Sequence, residues 1–478
     1  MYPQLAHDRD QLSALLVAVS AYAAGVLERL DAAPAAAAPR PHPATALPAA
    51  GIGAAGALQR FIDTIVPALS ASAGPRYLGF VTGGTTPAAL LGDWLTATFD
   101  QNPVSWLDGA TTLRLEQETL AMLRALFGLP EPFTGAFVSG ATMANFVGLA
   151  LAREWAGRAQ GVRVSQQGLA GLPPIEILAA TPHASATKAL SMLGLGRAGW
   201  QEIACRPGRE MMDLAALERQ LGAAAGPCVV LASAGTVNTG DFDDFAGLAR
   251  LKERYGFWLH VDAAFGGFAS LSPALQPLLH GWECADSICI DLHKWLNVPY
   301  DSAVAFTRHR DLQLDVFANL SAYLGLSTAD PESIHLAPES SHRWRALPAW
   351  FTLLAYGADG CREIVERDCR LARGLGERIQ QSELFDLLAP VRLNIVCFTP
   401  RDRAASAQLI AALRDDGAAF MTPTVLHGTP AIRAAFSNWR TADQDLEIVW
   451  AALVRAAETA SAGQPSRSDR RQEEDSIL

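Results

Sequence analysis

The stretch FWLHVDAAFGGFASLSPALQPLLHGWECADSICIDLHKWLNVPY, residues 257–300, decides how this chain is read. Two apolar runs within it, Phe257 to Val261 and Ser287 to Ile290, have the length and composition of buried strands. The first runs into Asp262, and the second leads through Asp291 and His293 to Lys294. An acid and an amine at the carboxyl ends of parallel strands converge in the crevice where open α/β sheets bind ligands.

Only three of the 38 basic residues are lysines, at 188, 252 and 294. Arginine serves wherever a fixed positive charge suffices, so a retained lysine points to an amine that can lose its proton, as Schiff-base chemistry requires. Against this stands the plain alternative that lysine is scarce in an Arg- and Ala-rich chain and these three are chance survivors. Pairing with Asp262 favours the chemical reading. A pyridoxal phosphate enzyme needs a lysine for its Schiff base and an aspartate to keep the pyridine nitrogen protonated. HVDAA, with Asp262 and Ala264, followed by HKW, with Lys294 32 positions beyond Asp262, resembles the signature of the group II pyridoxal-phosphate-dependent amino acid decarboxylases.

That resemblance covers residues 75–455 and implies an α/β fold of the fold type I transferase-like kind. Its features are a mostly parallel sheet with helices on both faces and a small C-terminal α+β domain. It also implies pyridoxal 5'-phosphate as cofactor, an L-amino acid as substrate, and a homodimer with its active site at the interface. Alternating strand and helix patterns across residues 133–310 independently read as such a sheet. The expected organisation is an N-terminal helical segment with a Pro/Ala-rich linker (1–74), a large domain (75–352), a small domain (353–459) and a disordered tail (460–478). In the first segment, Leu12, Leu15, Leu16, Val19, Tyr22, Val26 and Leu27 fall at helical spacing. They would pack on a partner subunit or fold back on their own chain.

Composition excludes other classes. A net charge of -11 with 18% charged residues argues against a nucleic-acid binder. No apolar run is long enough for a membrane span, and MYPQLAHDRD has no signal-peptide pattern, so the expected compartment is the cytosol. The seven cysteines are scattered with no CxxC pair, as in reduced packing positions rather than a metal site or disulfide framework.

Upstream motifs repeat the pattern of strand, polar turn and helix. Ser139, Gly140, Ala141 and Thr142 form a small-residue turn at a helix start, where free amides and the helix dipole suit a phosphate. Ordinary helix caps look the same. The resemblance favours the phosphate, although family members carry a Gly-Gly-Thr-like turn followed by Glu-Ala-Asn where this chain has Ala141 and Met143. His183, in HASATKA, is by itself a capping histidine; the resemblance places it flat against the cofactor ring. Thr236, in AGTVNTG, is a glycine-dependent turn residue or, by resemblance, a ligand near the phenolic oxygen. Phe80 and Thr82, in GFVTGGTTP, are turn residues or substrate-side residues. Arg433 is a candidate for the small-domain arginine with which aminotransferases of this fold bind the substrate carboxylate, although its context PAIRAAFSNWRT resembles decarboxylases equally well. Asp291 would repel a nearby phosphate and is expected to turn to a backbone or helix-terminal donor.

Many members of the resembled family carry a tyrosine on a mobile loop that protonates the substrate carbon after decarboxylation. No tyrosine falls at residues 330–336 here. The acids available instead are His183, Tyr323 and His335. The reading is a carboxy-lyase forming an amine through a Schiff base at Lys294, with Lys294, His183 and Asp262 as its catalytic set. An aldehyde synthase or aminotransferase on the same scaffold, or a cofactor-binding protein without turnover, are the alternatives.

Overall fold

The computed structural model describes residues 1–37, 46–319 and 332–462. Its centre is a seven-stranded sheet in which β1 (Thr134–Val138), β2 (Glu176–Ala179), β3 (Gln201–Glu202), β4 (Cys228–Ser233), β5 (Trp258–Asp262), β6 (Ser287–Ile290) and β7 (Ala303–Thr307) lie in the order β1-β7-β6-β5-β4-β2-β3. Neighbours from β3 to β6 pair in parallel, and β7 alone runs antiparallel to both β1 and β6. The carboxyl ends of β1, β2, β4, β5 and β6 therefore share one edge. Strands β4 and β6 are buried along their whole length, as sheets covered on both faces require.

The helices after β2, β3 and β4 start on side-chain caps from His183, Asp213 and Asp244. His183 accepts the Ser185 N–H at the start of the Ala184–Met192 helix, and Asp244 accepts from Gly247 at the next helix but one. The Ala141–Ala159 helix starts from Gly140 directly after β1 and packs across β5, β6 and β7. A second sheet follows: β8 (Phe385–Leu387), β9 (Ile395–Pro400), β10 (Thr422–Leu426) and β11 (Thr429–Ala435), all antiparallel in the order β10-β11-β9-β8. The Asp443–Ala462 helix closes over it with Val449, Leu453 and Ala456 buried.

The Ala346–Gln381 helix joins the two layers and breaks once, at Gly357 (φ 60°). Its residues as far as Cys369 belong to the core of the large sheet, and from Leu371 onward to the core of the small one. At the N-terminus, helices Pro3–Asp10 and Leu12–Glu28 meet at 66°. The second buries none of its residues, leaving Leu12, Leu16 and Val17 exposed. No single helix among the described residues is long and apolar enough to cross a membrane.

Candidate active site

The shared sheet edge opens into a cleft of about 260 Å³ that contains Asp262, Lys294 and His183. Asp262 is the last residue of β5. Its Oδ2 accepts from Asn145 Nδ2 (2.9 Å) and its Oδ1 from the Ala264 N–H (3.2 Å). Lys294 sits in the short Leu292–Trp295 helix after β6, with Nζ 3.4 Å from Asp291 Oδ2 and 5.7 Å from the centre of the Phe265 ring. Asp291 does not turn to a backbone donor as its sequence context suggests. Its carboxylate is 2% exposed and faces Lys294 and His293 Nε2 (3.1 Å), so a cation offsets its charge on the spot.

His183 enters from the end of β2. Its Nδ1 lies 2.7 Å from Ser185 Oγ and also accepts the Ser185 N–H at 3.2 Å. Desolvation by the surrounding walls, reinforced by Lys294 and Arg433 and opposed by Asp262, holds its pKa below the ordinary histidine value. The ring is therefore neutral at neutral pH.

The turn Ser139, Gly140, Ala141 and Thr142 stands beside His293. A Cβ on Gly140 would lie 3.3 Å from His293 Cε1, so the turn backs directly on that ring. The first amides of the helix have no acceptor within it and remain available to an anion. His293 accepts the Ser302 N–H on Nδ1 and packs against Tyr300, with ring centres 4.4 Å apart.

Thr236 lines the cleft, but its hydroxyl is already committed. It donates to Glu210 Oε2 (2.6 Å), where Thr239 also donates (2.7 Å), and it accepts the Asp241 N–H (3.0 Å). Phe80 lines the cleft as well, in a left-handed conformation (φ 58°) with its ring 59% exposed. Thr82 is buried behind it, its carbonyl accepting from Ser437 Oγ. His335 is fully buried away from the cleft, with Nδ1 accepting the Asn319 N–H. Tyr323 lies outside the described residues. Arg433 reaches the cleft from β11 and commits two of its five N–H groups to the carbonyls of Val237 (2.6 Å) and Phe80 (3.1 Å).

Four contributors escape a motif-based reading. Glu210 lies between β3 and the Leu214–Ala223 helix, outside every motif quoted from the sequence. Asn145 follows the Ser139 to Thr142 turn and His260 opens HVDAA, neither with a chemical role of its own in the sequence, and Tyr300 closes the opening stretch. The available signal was polarity out of place: Asn145 interrupts the apolar run of a buried helix, and His260 interrupts a strand that is otherwise apolar up to Asp262. Gly83 has a steric reason. A Cβ there would fall 1.6 Å from the Lys294 carbonyl oxygen, so backbone meets backbone where the GGTTP turn crosses the lysine. Gly83→Ala is expected to destabilise the chain by at least about 1–3 kcal/mol. It should lower the midpoint of thermal unfolding, and an unchanged midpoint would show that these two segments do not touch.

A model of the pyridoxal-dependent decarboxylase conserved domain matches residues 55–401. An aromatic-L-amino-acid decarboxylase of Bacillus atrophaeus is 27% identical over 411 residues, 82% of this chain and 83% of the relative. A 3,4-dihydroxyphenylacetaldehyde synthase of Drosophila melanogaster is 26% identical over 406 residues, covering 81% and 79% of the two chains. Among solved structures, Oryza sativa TDC with PLP and tryptamine superposes with a TM-score of 0.87 at 21% identity, covering 94% of this chain and 98% of that one. With the family model spanning most of its length, the chain belongs to the pyridoxal-dependent decarboxylases, carboxy-lyases whose cofactor is pyridoxal 5'-phosphate.

Proposed function

We propose that this chain removes the α-carboxylate of an L-amino acid as carbon dioxide and releases the amine, with Lys294 carrying the cofactor. The observation that carries the reading is the meeting of Asp262 and Lys294 in one cleft, at the ends of adjacent parallel strands. The residues fit the group. Asp262, with both oxygens steadied by N–H donors, suits the ring nitrogen, and His183 suits the ring face. The Ser139 to Thr142 turn, backed by His293, suits the phosphate. When bound, pyridoxal phosphate supplies the sink for the electrons left as carbon dioxide departs.

The chain's own part is to bind, orient and move protons. Asp262 keeps a proton on the ring nitrogen, and Asp291 stands ready beside the Lys294 amine. Of His183, Tyr323 and His335, His183 is the one whose described position lines the cleft, and Tyr300 adds a phenol to the same wall. Phe80, Val81, Val237 and Phe265 add apolar surface to a wall that also holds Thr181, Ser233 and Thr236, while two of the Arg433 N–H groups are engaged by backbone carbonyls. These features favour an apolar or aromatic side chain over an acidic one. The exposed apolar residues of the Leu12–Glu28 helix support a homodimer as part of the same proposal.

A second reading has its own support. An aldehyde synthase matches nearly as well as a decarboxylase, and residues 332–336 contain no tyrosine. In that reaction dioxygen and water are consumed, and the products are aldehyde, carbon dioxide, ammonia and hydrogen peroxide. One experiment covers both. Holoenzyme is incubated with the common amino acids, ornithine and diaminobutyrate without a keto acid, and then reduced with borohydride. Carbon dioxide with amine, and a pyridoxyl peptide containing Lys294, is the expected result. Peroxide with aldehyde would select the second reading, and keto-acid dependence would select an aminotransferase. Cofactor binding without any product would leave a binding protein.

A further inference from the structure

Behind the cleft, a line of side chains runs through the core from Trp258 to His183. Trp258 Nε1 donates to Ser287 Oγ (3.2 Å), Ser287 Oγ meets His260 Nδ1 (2.8 Å), and His260 Nε2 meets Asn145 Oδ1 (2.8 Å). From Asn145 Nδ2 two bonds leave, one to Asp262 Oδ2 (2.9 Å) and one to Ser185 Oγ (3.0 Å), and Ser185 Oγ meets His183 Nδ1 (2.7 Å). Trp258, Ser287, His260 and Asn145 are each no more than 1% exposed. The helix is shaped for this line: a Cβ on Gly148 would stand 2.5 Å from His260 Cε1 and Nδ1, so only glycine leaves the imidazole its place.

The direction of every proton in the line is set from its two ends. Indole N–H can only donate, so Ser287 Oγ accepts it and still has its own proton to give to His260 Nδ1. The remaining His260 proton sits on Nε2 and goes to Asn145 Oδ1. From the other end, a carboxylate can only accept, so Asn145 must turn its NH₂ toward Asp262, which again leaves Oδ1 for His260. The carboxylate end thus fixes the amide orientation, and the indole end accommodates it. The second amide proton then goes to Ser185 Oγ, whose hydroxyl proton passes to His183 Nδ1. That nitrogen also takes the Ser185 amide, so it carries no proton of its own.

We infer that Asn145 is a positioning residue that ties the ring-nitrogen anchor to the histidine across the cleft. Through one carboxamide it steadies Asp262, and through Ser185 it fixes His183 as the tautomer with its proton on Nε2. His183 thereby offers the cleft a donor rather than a lone pair. The neutrality of His260, whose burial pushes its pKa down to about 4, is consistent with the direction of the line. This inference rests on the cofactor assignment made above, but its test needs no turnover.

The test uses apoenzyme labelled with ¹⁵N-histidine at neutral pH, the His183 signals being those lost in His183→Gln. The expected pattern is a bare Nδ1 and a protonated Nε2; a proton on Nδ1 would overturn the inference whatever the variants do. Asn145→Leu, close in volume but without donors, is expected to weaken pyridoxal phosphate binding to the apoenzyme at least about tenfold and to bring the other His183 tautomer into view. Ser185→Ala cuts only the His183 branch. It is expected to change the His183 signals while leaving cofactor affinity within about twofold, a split that general loosening of the core would not give. Wild-type affinity in Asn145→Leu, or equal loss of affinity in both variants, would sink the proposed coupling. A protein that shows these shifts yet releases no carbon dioxide would refute the decarboxylase reading and leave this one standing.

Discussion

Lys294→Arg is expected to abolish carbon dioxide release, a loss of at least about four orders of magnitude. The substitution keeps a positive charge beside Asp291, which lies 3.4 Å from the amine and is almost wholly buried, so the local ion pair has a replacement and the fold has little reason to fail. What it removes is an amine able to lose its proton and condense with an aldehyde, which a guanidinium does not do. Two measurements are needed: product release from each amino acid accepted by the wild type, and incorporation of label from tritiated borohydride. Both should vanish together while circular dichroism stays unchanged. Residual turnover within tenfold of wild type would move the Schiff base to another residue and with it the whole assignment of the cleft.

Asp262→Asn is expected to cost about two to three orders of magnitude in turnover, the scale seen when a preorganised electrostatic group is lost from a reacting centre. The exchange is nearly isosteric, yet the position is unusually intolerant of an amide. Both Asp262 oxygens accept N–H donors, from Asn145 and from the Ala264 backbone. Whichever way an asparagine turns here, its NH₂ confronts one of those donors, adding about 1–3 kcal/mol of unpaired polar contact. Cofactor affinity should fall together with turnover, and the absorption spectrum of bound cofactor should change with the protonation of its ring nitrogen. If turnover stays within threefold of wild type, the carboxylate is not the ring-nitrogen anchor.

Much of this architecture was legible because parallel strands announce themselves. β5 and β6 are short, apolar and end in chemistry-bearing residues, and the spacing of Asp262 and Lys294 reflects the crossover that joins neighbouring strands. The sheet edge on which the site stands follows from that pairing. The parts that escaped are those that depend on side-chain direction. Asp291 could be located by number but not by orientation, since its surroundings are made by His293 and Lys294 on the next helical turn. His335 is a plausible acid on paper and a buried acceptor in three dimensions. Thr236 sits where expected, but its proton belongs to Glu210, a residue 26 positions upstream with no motif to mark it. Asn145 was hidden for the same reason: its partners come from β5 and from the turn after β2, and only the folded sheet assembles them.

The bonds of Arg433 carry a mechanical consequence. This side chain belongs to the small sheet, but it grips the carbonyls of Val237 and Phe80, which both line the cleft, and Asn238 is held in turn by Thr424 and Val425. A displacement of the C-terminal layer therefore acts directly on two residues of the cleft wall. The shape of the cleft is thereby geared to the tilt of a sheet that contributes none of the proposed catalytic residues.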